Sequence, residues 1–115
     1  MTISDRTRRI VNERDGGRCW HCGTTENTQV HHRRNRGLGS SKLLDTFQNL
    51  IVVCAAYNYA MEADADVARD AREFGHKLQS WRDISDPVFD QSELTWYKLT
   101  EDGGRVKVNA PSYLI

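Results

Sequence analysis

Three cysteines restrict what this chain can become more than any other feature. Cys19 and Cys22 form a Cys-x-x-Cys pair followed by Gly23, and Cys54 opens the stretch CAAYN at 54–58. An odd number of cysteines excludes a complete disulfide framework, and it favours a reducing compartment in which thiols are metal-bound or buried. A short Cys-x-x-Cys ending in glycine has the shape of a zinc knuckle. A matching half-site would need a second cysteine three places after Cys54, and Tyr57 stands there.

At 115 residues the chain is expected to form one domain, 1–115, with a modest core that a metal or partner would help stabilise. Hydrophobic residues are 38% and charged residues 28% of the total, as in an ordinary soluble globule. No apolar run approaches the roughly 18 residues of a membrane span, and the first residues lack a signal-peptide core. A cytoplasmic protein with no membrane partner is the expectation. Net charge is zero, but residues 1–42 carry nine Lys/Arg against four acids, so that part is +5 and the remainder −5. Such asymmetry can orient a molecule on a polyanion such as nucleic acid. Two solvated faces that interact with each other are the bland alternative.

Ile3, Thr7, Ile10, Val11 and Arg14 recur at helical spacing, with Ser4 as N-cap and Gly16-Gly17 as stop, which predicts a helix over 3–15. Thr28, Gln29 and Val30 favour a short strand. Residues 35–42 read as a Gly/Ser loop, and Lys42 to Phe47 as a turn of helix. LIVV at 50–53 is a buried strand or turn. After Cys54 the apolar spacing becomes helical, and a further helix runs from about Asp66 to Phe74, stopped by Gly75. LTWYKLT and RVKVN flank EDGG as a β-hairpin. The class is α+β.

In order along the chain stand CWHC, VHH, QNL, CAAYN and Glu62. This ordered set resembles the HNH endonuclease family, the ββα-metal or His-Me finger nucleases, over about residues 17–64. RDGGRC before it and the late WYKL…DGG hairpin look similar to small HNH proteins of actinobacterial phages. The resemblance implies a ββα-metal core at 17–64, preceded by the N-terminal helix and followed by the helix and hairpin of 65–115. It also implies a divalent-metal-dependent DNA endonuclease or nickase. His32 would be the general base and His31 a ligand of the catalytic ion. Asn49 would fix the loop carrying the base and hold His32 in orientation. Asn58 would be the second metal ligand, with Glu62 one helical turn on as a direct or water-mediated ligand. Glu62 also reads as a plain solvated helix residue.

Hydrolysis of a phosphodiester needs a base for water and a cation for the charge that develops on phosphate and leaving oxygen. An imidazole titrates near neutrality and suits the first need. The set of imidazole, amide and carboxylate suits Mg²⁺ or Mn²⁺, with Ni²⁺ or Zn²⁺ as other candidates. Neighbours on a strand face opposite ways, so His31 and His32 can serve one centre only where the strand bends or ends. Arg33, Arg34 and Arg36, with Arg6 and Arg9 on the first helix, are candidate phosphate contacts; as plain surface charges they would need no partner. Trp20, Trp81 and Trp96 are expected in the core. The phage setting implies genome packaging, with a terminase as partner, or a homing or restriction role.

Cys19, Cys22 and Cys54 supply three ligands where a closed zinc site wants four. His21, His76 or water would complete it, or zinc binds weakly, or Tyr57 packs its ring in the place of the metal and the thiols are small buried hydrophobes. Two other classes of function compete with the nuclease: a non-catalytic DNA-binding or packaging-accessory module that kept the fold, and a small zinc-binding interaction domain. Tyr57 counts against the last.

Overall fold

The computed structural model describes residues 3–35 and 42–112. The first helix, α1, spans Asp5–Asp15. Ser4 caps it by accepting from the Thr7 N–H, which would otherwise lack an intrahelical partner. Gly16 ends it in the left-handed conformation, φ 66°, where glycine has no Cβ penalty. Strand β1, Thr28–His32, pairs antiparallel with β2, Leu50–Cys54, in a register that sets Thr28 opposite Cys54 and His32 opposite Leu50. Helix α2, Ala55–Ala63, follows at once, so strand, strand and helix are consecutive. Helix α3, Ala65–Glu73, is capped by Asp64. A second sheet has β3, Val88–Asp90, beside β4, Thr95–Leu99, beside β5, Arg105–Val108. The predicted α+β class is what the chain adopts.

The β1–β2 hairpin is covered on both faces. Every residue of β2 is buried, which is why its sequence reads as an unbroken apolar run. Leu50 and Val52 join Ile3 and Val11, with Val30 and Phe47 packed against them, on the α1 side. Ile51 and Val53 join Tyr57, Met61, Ala71, Trp20, Tyr97 and Leu99 on the other. α1 is fastened to β2 by a buried pair. The Arg14 guanidinium grips both Asp15 oxygens, at 2.7 and 3.0 Å, and donates to the Phe47 and Leu50 carbonyls, while Asp15 accepts from the Val52 N–H.

Three expectations are corrected. Arg33 is 1% exposed. Nε donates to the Gly75 carbonyl, Nη1 to those of Gln48 and Ile84, and Nη2 to those of Asp86 and Pro87. These five bonds use all the donors a guanidinium has. Arg33 therefore braces the fold and is not available to a phosphate. Trp81 is exposed, whereas Trp20 is buried and Trp96 packs against Phe89 with ring centroids 5.1 Å apart. The C-terminal hairpin gains a third strand, β3, too short for a readable alternation. Gly75 makes the turn before it possible: its φ is +75°, and a Cβ there would sit 2.3 Å from the Pro87 carbonyl oxygen.

Candidate functional site

His31 and His32 lie at the last two positions of β1, on opposite faces. His31 is buried towards α2, and its Nε2 is 3.0 Å from the His76 carbonyl. A carbonyl only accepts, so Nε2 carries the hydrogen and Nδ1 keeps a lone pair. Burial holds the His31 pKa down at about 4, below its usual range, so the ring is neutral at neutral pH. His32 is 25% exposed, and its Nε2 donates to Asp45 Oδ1 across 2.8 Å. A carboxylate likewise accepts only, so Nε2 of His32 carries a hydrogen, and in the neutral form of the ring Nδ1 has the lone pair. Two consecutive imidazoles are thus anchored through the same nitrogen. A histidine whose far N–H is held by a carbonyl or carboxylate has the tautomer and the fixed ring that a ligand or a base requires.

Asn49 is wholly buried under the segment that follows β1. Its amide oxygen accepts from the Arg34 N–H at 2.8 Å, and its amide nitrogen donates to the Arg34 and Leu44 carbonyls at 3.0 and 2.8 Å. Those bonds fasten both sides of the connection between the strands. Among the described residues Asn49 makes no hydrogen bond to His32, and the side chain that hydrogen-bonds His32 is Asp45. Arg34 is further held by a parallel bridge to Leu78.

α2 starts at the Cys54 end of the hairpin and folds back along it, which returns Glu62 to the neighbourhood of His31; the two interact electrostatically. Asn58 lies one turn before Glu62 on the same face. Glu62 already has a partner, because Lys77 Nζ stands 3.1 Å from its carboxylate. Lys77 also acts on His31, opposing its protonation.

The thiols gather at the other end of the hairpin. Sγ of Cys19, Cys22 and Cys54 lie within 4.8 Å of one another, and Cys22 and Cys54 are 3.8 Å apart, so the cluster could hold a metal ion. The His21 N–H points at Cys19 Sγ and the Tyr57 N–H at Cys54 Sγ, each at 3.3 Å. Burial pushes the Cys19 thiol up to about 11. Burial raises Cys22 too, but bonds from the Thr24 backbone and from the neighbouring thiols outweigh it, and its pKa falls. Tyr57 turns its hydroxyl away from the sulfurs to His76 Nδ1, 2.7 Å off, and burial keeps that hydroxyl protonated. His76 Nε2 faces the Phe89 carbonyl at 2.7 Å. With both nitrogens engaged, His76 is not the fourth ligand. His21 stacks flat on Tyr57, with centroids 4.0 Å apart, and burial lowers its pKa.

Arg6 and Arg9 are exposed on α1, the helix that packs on the face of the hairpin away from α2. Arg36 lies outside the described residues. Asp45 and Lys77 belong to the site without having been singled out in the sequence, and His76, read there as a candidate fourth ligand of the cysteine cluster, meets His31 and Tyr57 instead. Asp45 sits in a short turn with no motif, and His76 and Lys77 follow a helix stop. None of the described helices is long and apolar enough to cross a membrane. No protein-family model matches the chain, and neither a curated protein nor a solved structure matches it.

Proposed function

We propose that the chain is a divalent-metal-dependent DNA endonuclease or nickase of the HNH kind. The observation that carries this reading is the pair of anchored imidazoles, His31 held by a carbonyl and His32 by a carboxylate, each with no partner at Nδ1 among the described residues. In this reading His32 takes a proton from water at Nδ1, and Asp45 holds the ring and stabilises the imidazolium that results. Asn49 keeps the loop beneath them in place. The donor set fits a hard or borderline cation: a buried neutral imidazole, an amide oxygen at Asn58 and a carboxylate at Glu62. Such an ion, when bound, supplies charge neutralisation at the phosphate and the leaving oxygen. The proposed products are 5′-phosphate and 3′-hydroxyl ends, and genome packaging with a terminase is the proposed setting. Nicking of supercoiled plasmid in a Mg²⁺, Mn²⁺ and Ni²⁺ series, wild type against His32→Ala, tests it.

For the cysteine cluster the proposed ion is Zn²⁺. Bonds of about 2.3 Å at tetrahedral angles set sulfurs about 3.8 Å apart, which is the Cys22–Cys54 separation. Cys22 is exposed, so solvent would take the fourth position. A second reading, a nucleic-acid-binding module without catalysis, is favoured by the Lys77–Glu62 ion pair, which sets a protein cation beside His31. Loss of nicking with retained DNA binding would select it.

A further inference from the structure

Beside the His31–Glu62 region lies a cavity of about 240 Å³ lined by Arg34, Asn35, Arg72, Lys77, Gln79 and Ser80, with Leu78 in its wall. Three basic residues line one small space, and no acidic residue lines it among the described residues. The guanidinium groups of Arg34 and Arg72 make no hydrogen bond or ion pair among the described residues, although Asp83 lies near enough to Arg34 to feel its charge. Lys77 donates one N–H to Glu62, and an ammonium has three.

The walls are rigid. The Arg34 backbone is held on one side by the Asn49 amide and on the other by its bridge to Leu78, whose N–H donates to the Arg33 carbonyl at 2.6 Å. Arg33 in turn is locked by five carbonyls. Arg72 comes from the last turn of α3 and Lys77 from the segment after it. Cations brought together from separate elements, without an acidic residue among the described lining residues, repel one another. An anion relieves that repulsion, and the forked guanidinium matches a phosphate's oxygens.

We propose that this cavity, through Arg34, Arg72 and Lys77, binds a backbone phosphate of duplex DNA next to the phosphate presented to His32. The proposal rests on the nucleic-acid part of the function proposed above. Lys77 links the two places, since it lines the cavity and pairs with Glu62.

The test is the salt dependence of binding of a labelled 20-base-pair duplex, followed by fluorescence anisotropy in EDTA. The double variant Arg72→Gln/Lys77→Gln, which strips one phosphate of two of its three cations, should lower the magnitude of the slope of log K against log[salt] by about 0.9, and each single variant should lower it by less. Lys77→Arg should keep the slope. Arg69→Gln, which removes a cation of the same helix that pairs with Asp66 and Asp70, should leave it unchanged. Amide shifts of Arg34 and Leu78 in wild type, read by NMR as duplex or inorganic phosphate is added, provide a measurement that needs no variant to fold. Equal slopes in wild type and the double variant overturn the proposal. So does a response of these amides to inorganic phosphate with none to duplex, which would make the cavity a free-phosphate site. A protein that nicks through His32 while its slope ignores Arg72 and Lys77 loses the cavity and keeps the nuclease. One that binds through the cavity but nicks no better than His32→Ala does the reverse.

Discussion

The Tyr57 hydroxyl donates to Nδ1 of His76 across 2.7 Å, and Nε2 of the same ring donates to the Phe89 carbonyl. A residue standing where a fourth thiolate would complete a zinc site is instead a tether from α2, through a buried neutral imidazole, to β3. His21 stacks flat on the Tyr57 ring. The tether from Tyr57 to β3 thus stands beside the three thiols as a cross-link of its own.

Tyr57→Phe removes the donor and leaves a lone pair of a fully buried imidazole unsatisfied. The expected loss is about 1–3 kcal/mol of unfolding free energy, measured by urea denaturation. Tyr57→Cys loses the same tether but places a fourth thiol in register with Cys54. It should bring the protein to one tightly held zinc per chain by elemental analysis, while nicking stays independent of that zinc.

Arg33→Lys keeps the charge and loses the fork. An ammonium cannot meet five carbonyls arranged about a planar guanidinium, and several buried acceptors are left open at about 1–3 kcal/mol each. Equilibrium unfolding should show a loss of about 3 kcal/mol or more. An unchanged midpoint would show that Arg33 is not the brace described.

Asn49→Asp keeps the shape and the acceptor for the Arg34 N–H but has no donor for the Arg34 and Leu44 carbonyls. The Arg34 amide should exchange its hydrogen faster, with nicking reduced. Asn49→Ala should be worse on both counts, since all three bonds go.

Burial holds His31 near a pKa of about 4 and His76 near about 3. In the unfolded chain both titrate near 6.5. As pH falls below that value the unfolded state takes up protons that the folded state refuses, so stability is lost between pH about 6.5 and about 3 and is full above the upper limit. The urea midpoint of metal-free protein should be flat from pH 8 to 7 and fall steadily from 6.5 to 4.5. A midpoint constant across that lower range would mean that the two rings are not held neutral by burial.

Much of the local structure was legible, because its signals are local. Ser4 and Gly16 bound α1, Gly75 ends the turn after α3, and the all-apolar LIVV becomes the doubly covered β2. Non-local partnerships were not legible. Arg33 reads as one of a run of surface cations, and only the approach of the 75–87 segment, with carbonyls converging from several turns, shows it to be interior. Asp45, His76 and Lys77 reach His32, Tyr57 and Glu62 across separations that periodicity does not register. Trp81 looks like core by residue type alone, since nothing near it in the sequence tells that its segment runs over the surface.

The most direct test of the central claim is single-turnover nicking of supercoiled plasmid with Mg²⁺ or Mn²⁺, comparing wild type with His32→Ala and Asp45→Asn. With His32 as base, His32→Ala should lose roughly 10²–10⁴ of the rate. Asp45→Asn should lose less, with the rate shifted in its pH dependence, and EDTA should abolish cleavage. Wild-type nicking no faster than that of His32→Ala, with every metal and at every pH tried, would contradict the account.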